Sequence, residues 1–396
     1  MLRSLILATI FLRLALANAC TLTSAQPPKL HETTDQLRRQ YARPSSQWPE
    51  PNIDEGVQWQ ELGLLPRVEH PETNPNHPVK QALGASLYFD PRLSGSGQIA
   101  CASCHDPEMG WADGRTTGFG HNRTRLPRHT PTIRNAGLYE KLFWDGRVDS
   151  LEEQIVDVIN SPDEMHSSAQ LIGQLIRDNK DYRGGIYSIY RDSLDLETIE
   201  QVNELPDDQI LKCVSDIIAC FERSIIGGQS RFDQFLIGQS ETLTDSEIRG
   251  LDLFRRKGRC MNCHHGPLMS DGKFHSLGLM RMEPRGADPG RYNATKELND
   301  LGKFRTPSLR DVSRTAPYMH NGRFTLSAVI GFYNRGMLDP LPLRIADKRV
   351  QPKKSPLLKP LGLSQIEMDD LEAFLRSLEE PWSRIETPVY PELSIE

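Results

Sequence analysis

Two CxxCH pentapeptides constrain this chain more than any other feature of its sequence. They lie at residues 101–105 (CASCH) and 260–264 (CMNCH). In this pattern the two thiols bond covalently to a porphyrin, and the adjacent histidine is a ligand of the haem iron. The sequence therefore predicts two covalently bound haem c groups, attached at Cys101, Cys104, Cys260 and Cys263, with His105 and His264 as iron ligands.

The N-terminus predicts export from the cytoplasm. Arg3 precedes a short apolar run, and residues 17–19 (ANA) form an A-x-A cleavage pattern. The run is too short to span a bilayer, so we expect residues 1–25 to be a signal peptide and the mature protein to be periplasmic. One alternative stays open: a lipoprotein signal that ends before Cys20, which would anchor the chain to a membrane.

The order of amphipathic helix and then CxxCH occurs twice, about 160 residues apart, which indicates two related haem domains. The first helix is predicted from Pro78 to just before Asp90, and the second between the capping box of Thr244 with Glu247 and the stop at Gly258. The predicted segments are a proline-rich arm at 26–77, an N-terminal haem domain at 78–240, a C-terminal haem domain at 241–383 and a tail at 384–396.

The helical predictions specify which residues are buried. A third capping box, Ser364 with Glu367, starts a final helix before Pro381. Little of the chain alternates as a strand does, so the fold class is expected to be mainly α. The three predicted apolar stripes are Val79, Leu83 and Leu87; Ile248, Leu251 and Phe254; and Ile366, Leu371, Phe374, Leu375 and Leu378.

The net charge bears on the kind of partner, and the spacing of two further cysteines bears on whether they form a disulfide. A formal net charge of −6 argues against a nucleic-acid partner. Cys213 and Cys220 lie in a helical pattern at 208–224, and seven residues of helix separate their Cα atoms by about 10 Å, which is too far for a disulfide. We expect both to be small buried hydrophobic residues.

Several runs resemble the bacterial di-haem cytochrome c peroxidases and MauG proteins. They are residues 143–147 (FWDGR), Gln154, residues 161–165 (SPDEM) and residues 315–322 (TAPYMHNG). The resemblance extends from about residue 78 to about residue 378. It implies two cytochrome c-like haem domains packed against each other.

The resemblance also implies an active site at the N-terminal haem, where hydrogen peroxide is reduced. Glu164 corresponds to the acid–base glutamate of this family, and Gln154 to the glutamine that orients peroxide. A positioned carboxylate suits this chemistry because it can accept a proton from one peroxide oxygen and return it to the other. Trp144 corresponds to the tryptophan between the two haems.

The distal ligands of the two irons are implied by the same resemblance. His121 matches a histidine that closes the distal face of the resting first haem, although it could equally be a surface residue. Tyr333 lies where peroxidases have a methionine and MauG-like members have a tyrosine, and this harder donor would stabilise oxidised iron. Met337, four residues later on the same predicted helical face, is the alternative ligand.

The family also binds calcium between its domains. Backbone carbonyls of Thr315 and Pro317 match two of its ligands, but His129 stands where an asparagine is expected. Calcium prefers oxygen ligands, so the presence of this ion stays an open question.

The expected function is reduction of hydrogen peroxide to water, with electrons from a small periplasmic c-type cytochrome or copper protein. A MauG-like oxidase that uses peroxide to modify a protein side chain is the second hypothesis. The third is a di-haem electron-transfer cytochrome without catalysis. We expect no nucleic-acid partner and contact with a membrane only through an anchor at Cys20. A second copy of the chain, in a homodimer, is the remaining expected partner.

Overall fold

Helices make up most of the regular structure in this computed structural model, which describes residues 32–282, 287–345 and 348–381. The described ranges contain two antiparallel pairs of short strands, β1 (Phe274–His275) with β2 (Phe304–Arg305) and β3 (Leu343–Ile345) with β4 (Lys348–Val350). The prediction of a mainly helical fold is confirmed. The α-helices of the described ranges are α1 (Thr34–Tyr41), α2 (Pro78–Phe89), α3 (Leu151–Asn160), α4 (Ala169–Asp178), α5 (Lys180–Tyr190), α6 (Asp207–Glu222), α7 (Arg231–Leu236), α8 (Asp245–Arg255), α9 (Tyr292–Thr295), α10 (Leu326–Asn334) and α11 (Gln365–Arg376).

The helix starts follow the local capping signals. Helix α2 begins at Pro78 as predicted. Thr244 and Ser364 each accept a hydrogen bond at 3.3 Å from the backbone N–H three residues later, and both capping boxes are complete. These contacts satisfy backbone donors that a helix N-terminus otherwise leaves unpaired. The predicted starts of α8 and α11 are therefore confirmed.

Two hydrophobic clusters form the core. The first draws on α2 to α6, and the second on α7, α8, α10 and α11. Phe232 and Phe235 of α7 belong to the second cluster, although α7 precedes residue 240. The domain limits stay predictions.

The predicted N-terminal arm contributes to the second cluster. Its buried side chains are Leu37, Tyr41, Trp48 and Leu62. Arg255 of α8 is buried beneath the arm and donates hydrogen bonds to the Glu61 carboxylate and the Pro49 carbonyl. These partners are remote in sequence, so local periodicity could not indicate them.

Two residues of the predicted apolar stripes are exposed. Val79 is 41% exposed and Ile366 is 71% exposed, so the prediction that they are buried is wrong. Each lies in the first turn of its helix, where fewer neighbouring elements can cover a side chain. The middle of both helices is buried as predicted, with Leu87 in α2 and Phe374 in α11.

Cys213 and Cys220 of α6 are buried free thiols, as predicted. The predicted signal peptide, Cys20 and the tail at 384–396 lie outside the described residues. Within the described ranges, no helix combines the length and the apolar character needed to cross a membrane.

Helices α2 and α6 approach each other closely at a glycine, and so do α8 and α11. A Cβ on Gly84 of α2 would lie 2.5 Å from the Ile217 carbonyl oxygen of α6, and one on Gly250 of α8 would lie 2.0 Å from the Asp370 carbonyl oxygen of α11. Neither contact is compatible with a side chain unless the backbones separate. The helix that precedes each CxxCH motif is thus held tightly to its partner.

We expect Gly250→Ala to destabilise the protein by about 1–3 kcal/mol, the usual cost of overpacking. Gly184→Ala in α5 is the matched control, because its Cβ would meet only one side-chain atom, at 3.5 Å. The control should leave stability unchanged or raise it by up to about 1 kcal/mol. Denaturant unfolding measures both, and equal free energies for the two variants would contradict the helix packing described here.

Candidate active site

The first CxxCH motif lines a cavity of about 750 Å³, called here the first cavity. A short 3-10 turn at Cys101–Ser103 places both cysteines on its wall, and the His105 N–H donates to the Cys101 carbonyl at 3.0 Å. Cys101, Cys104 and His105 thus face one space. This arrangement brings two thiols and an imidazole together, as covalent haem attachment requires.

The second motif repeats this arrangement around a cavity of about 220 Å³, called here the second cavity. A 3-10 turn at Cys260–Asn262 is followed by a hydrogen bond of 2.8 Å from the His264 N–H to the Cys260 carbonyl. Arg259, just before the turn, has a left-handed φ of 55°. Ala100, the equivalent residue of the first motif, is extended instead, so the two motifs share the 3-10 turn and the hydrogen bond of the histidine N–H but not the conformation of the preceding residue.

Both motif histidines have the orientation of an iron ligand. His105 Nδ1 lies 3.3 Å from the Trp111 carbonyl oxygen, and His264 Nδ1 lies 3.1 Å from that of Met269. With Nδ1 as the donor, Nε2 has a free lone pair. Burial lowers the pKa of both imidazoles, which favours the neutral form that binds iron. The residues present fit a haem in each cavity.

Gln154 and Glu164 line the first cavity together with His105. Gln154 lies on α3, whose start is capped by Ser150, and Glu164 lies in the turn that follows this helix. Burial raises the pKa of the Glu164 carboxyl, and a hydrogen bond from the Ser161 side chain opposes that effect. A carboxyl in this position can accept and release a proton within the cavity.

Trp144 lines both cavities. Its indole Nε1 donates to the His129 carbonyl at 2.8 Å, and its ring lies 6.4 Å from that of His320 in an edge-to-face arrangement. These contacts fix the indole between the two predicted haem sites.

His121 packs beside the first cavity without being part of its lining. Its ring stacks on His166 with centroids 4.2 Å apart, and its Nδ1 is buried with no hydrogen-bond partner. Its backbone N–H donates at 2.8 Å to the carbonyl of Glu164. The segment carrying His121 is thus attached to the one carrying Glu164, and ligation of iron by His121 stays a prediction.

Tyr333 lies on α10 and lines the second cavity, and burial raises the pKa of its phenol. Met337 is absent from that lining. The expectation that both residues share a helical face is wrong, because α10 ends at Asn334 and Met337 has a left-handed φ of 60°. Of the two candidate ligands, only Tyr333 faces the space next to His264.

Calcium binding by the Thr315 and Pro317 carbonyls stays a prediction. Thr315 and Pro317 line the second cavity. His129 Nδ1 lies 2.8 Å from the Arg115 carbonyl oxygen, so this nitrogen is occupied by a backbone hydrogen bond. The imidazole also cannot supply the oxygen ligand that calcium prefers. We therefore assign no role to calcium.

A family model described as di-haem cytochrome c peroxidase matches residues 78–241. Cytochrome-c peroxidase IdrP1 of Pseudomonas sp. (strain SCT) is 35% identical over 347 residues, which cover 80% of this chain and 85% of the relative. Methylamine utilization protein MauG of Methylorubrum extorquens is 35% identical over 325 residues, covering 82% and 85%. This chain belongs to the di-haem cytochrome c peroxidase and MauG family.

A solved structure agrees with this assignment. A MauG-like protein associated with microbial copper homeostasis is 30% identical, covers 81% of this chain and 95% of its own, and has a TM-score of 0.66. As a member of the di-haem cytochrome c peroxidase and MauG family, the chain is an oxidoreductase of the haem peroxidase type. Membership implies haem c cofactors, a peroxide substrate and a redox partner, and it sets aside the hypothesis of a non-catalytic carrier.

Three further polar residues line the cavities and were not predicted as site residues from the sequence. Arg305 lines both cavities, and its Nη1 is buried with no hydrogen-bond partner. A guanidinium with a free N–H can donate a charge-assisted hydrogen bond to a carboxylate, and haem carries carboxylates at its edge. Asn321 and Glu222 line the first cavity and also have buried side-chain atoms without partners. Asn321 lies in the TAPYMHNG run, whereas the sequence carries no local signal for the other two.

Proposed function

We propose that this chain holds haem c covalently in both cavities and reduces hydrogen peroxide to water at the first. The observation that carries the proposal is that Gln154 and Glu164 line the same cavity as His105. A carrier of electrons alone needs no proton-exchanging carboxyl beside its haem. Haem supplies, when bound, the iron at which peroxide is reduced.

Glu164 and Gln154 perform the proton chemistry of this reaction. Reduction of one peroxide consumes two electrons and two protons, cleaves the O–O bond and yields two water molecules. Glu164, ionised, accepts a proton from one peroxide oxygen and returns it to the oxygen that leaves. Gln154 orients the peroxide through its amide, which can both donate and accept hydrogen bonds.

Electrons reach the first cavity from the second through Trp144 in this proposal. The indole lines both cavities and is fixed by its hydrogen bond to the His129 carbonyl. An aromatic ring between two redox centres shortens the gap that an electron crosses. The electrons come from a small periplasmic c-type cytochrome or copper protein, which is proposed here as the redox partner.

Tyr333→Met is expected to raise the reduction potential of the second haem. A thioether favours reduced iron more than a phenolic oxygen does, and axial ligands span potentials of about 0.8 V, so a rise on the order of 0.1 V or more is expected. Spectroelectrochemical titration of both haems measures it. Phe332→Leu is the control, since Phe332 lies on the same helix but not in the lining; an unchanged potential in Tyr333→Met would exclude tyrosine as the ligand.

A MauG-like oxidase is the second candidate function. The observation in its favour is that Tyr333 lines the second cavity, whereas Met337, the other candidate ligand, does not. In this function, peroxide is reduced by two electrons taken from a side chain of another protein. Both functions use His105, Gln154 and Glu164 in the same way, and they differ in the source of the electrons.

Turnover with a reduced small c-type cytochrome distinguishes the candidates. We expect peroxide-dependent oxidation of the cytochrome by the purified di-haem protein. A requirement for prior reduction of the protein would support His121 as a ligand that leaves on activation, whereas equal rates would exclude that role. Negligible turnover together with a rapid peroxide-induced change in the haem spectrum would favour the MauG-like oxidase.

A further inference from the structure

Glu222 is a buried carboxyl at the first cavity that the proposed reaction does not use. It is the last residue of α6, is 4% exposed and lines the cavity. Its Oε2 is buried and has no hydrogen-bond partner. An ionised carboxylate in such a place is strongly disfavoured unless a positive charge faces it. Glu222 is therefore sensitive to the charge of whatever occupies the cavity.

The adjacent cation does not neutralise Glu222. Arg223 donates to both oxygens of Glu152 on α3, at 2.6 and 2.9 Å, in a bidentate pair. Glu152 also accepts a hydrogen bond of 2.7 Å from Asn74. The two charges act on Glu222 in opposite directions: Arg223 lowers its pKa and Glu152 raises it.

The other elements packed on α6 leave Glu222 facing neutral groups. Tyr88 of α2 and Cys101 both sense its charge. Lys80, the cation of α2 nearest the α6 contact, donates to Asn74 at 2.8 Å. On α4, Arg177 pairs with Asp207 at the opposite end of α6. None of these cations forms a hydrogen bond or ion pair with Glu222.

We propose that Glu222 is the redox-linked proton site of the first haem. When one electron from the donor reduces this haem, the Glu222 carboxylate binds one proton from solvent; when the haem is oxidised again, the carboxyl releases that proton. The electron and the proton arrive together, so the buried site gains no net charge. The proposal rests on the haem assigned to the first cavity. It holds whether the chain acts as a peroxidase or as a MauG-like oxidase.

Glu222 and Cys101 line the same cavity, and the charge of Glu222 acts on the Cys101 thiol. This supports the coupling, because Cys101 is one of the two cysteines to which the first haem would be attached. Charges that share a buried site interact far more strongly than charges in water. Burial also raises the pKa of Glu222 to about 8. Glu222 can therefore change its protonation state near neutral pH when the charge of the haem changes.

Potentiometry of the purified di-haem protein at several pH values tests the proposal. In the wild type, the reduction equilibrium constant of the first haem should fall as the pH rises, by up to tenfold per pH unit, or about 59 mV for one electron. Glu222→Gln removes this titrating group, so the slope near neutral pH should become much smaller, with only the contribution of Glu164, the other carboxyl of the cavity with a raised pKa, left. Asp216→Asn is the matched control, because Asp216 is buried on the same helix but does not line the cavity, and it should keep the wild-type slope.

An unchanged pH slope in Glu222→Gln would overturn the proposal, as would loss of the slope in Asp216→Asn alone. If Glu222→Gln does not fold, redox-difference infrared spectra of the wild type decide the question. They should contain a band of a protonated carboxyl in the reduced state, and absence of that band would overturn the inference. Wild-type protein without a haem at His105 would contradict both this inference and the proposed function.

Discussion

His105→Gly is expected to reduce the reaction with hydrogen peroxide to the background rate. The variant keeps Cys101 and Cys104, so the first haem should stay covalently attached and visible by its absorbance. It loses the imidazole whose Nδ1 contact with the Trp111 carbonyl leaves Nε2 free to bind iron. Stopped-flow absorbance after mixing with peroxide measures the effect.

His264→Gly is the matched control for this experiment, because it removes the equivalent residue of the second cavity. It should keep a rapid first reaction with peroxide but lose sustained oxidation of a donor. This asymmetry follows from the position of Gln154 and Glu164 in the first cavity alone. The opposite pattern, with peroxide reactivity lost only in His264→Gly, would place the active site in the second cavity.

Glu164→Gln is expected to slow the reaction with peroxide by about 10²–10⁴-fold, the usual contribution of a positioned acid–base group. The amide preserves the size of the side chain but cannot accept and return a proton. Both haems should remain attached and their resting spectra should change little. Glu153→Gln is the control, since Glu153 is exposed on α3 and does not line the cavity, and its rate should equal that of the wild type.

The pH dependence gives a second test of Glu164. A base is active when ionised, so the rate should fall as the pH decreases through the pKa of Glu164. Burial raises that pKa above the usual range of glutamate, which moves the acidic fall to higher pH than an exposed carboxyl would give. In Glu164→Gln this fall should disappear from the pH profile. A wild-type rate that is constant down to the usual pKa of glutamate would remove Glu164 from the mechanism.

Local sequence signals predicted the parts of the structure that depend on local chemistry. The capping boxes at Thr244 and Ser364 start helices where expected, because their hydrogen bonds join residues three positions apart. The spacing within CxxCH is set by the porphyrin, and both motifs adopt the same turn.

Features that depend on distant contacts could not be predicted in this way. Arg255 of α8 donates a hydrogen bond to Glu61 of the arm, 194 positions away in sequence. The unpaired carboxyl of Glu222 results from the commitment of Arg223 to Glu152, 71 positions away. The end of α10 at Asn334 separates Met337 from the helical face that carries Tyr333. None of these three features is indicated by a local sequence pattern.

The stoichiometry of the reaction tests the central proposal most directly. Purified di-haem protein is supplied with limiting hydrogen peroxide and an excess of reduced small c-type cytochrome, and both reactants are followed to completion. Two cytochromes oxidised for each peroxide consumed, with a rate that Glu164→Gln lowers, is the predicted result. Peroxide consumed without oxidation of the donor, or a rate unaffected by Glu164→Gln, would contradict reduction of peroxide to water in the first cavity.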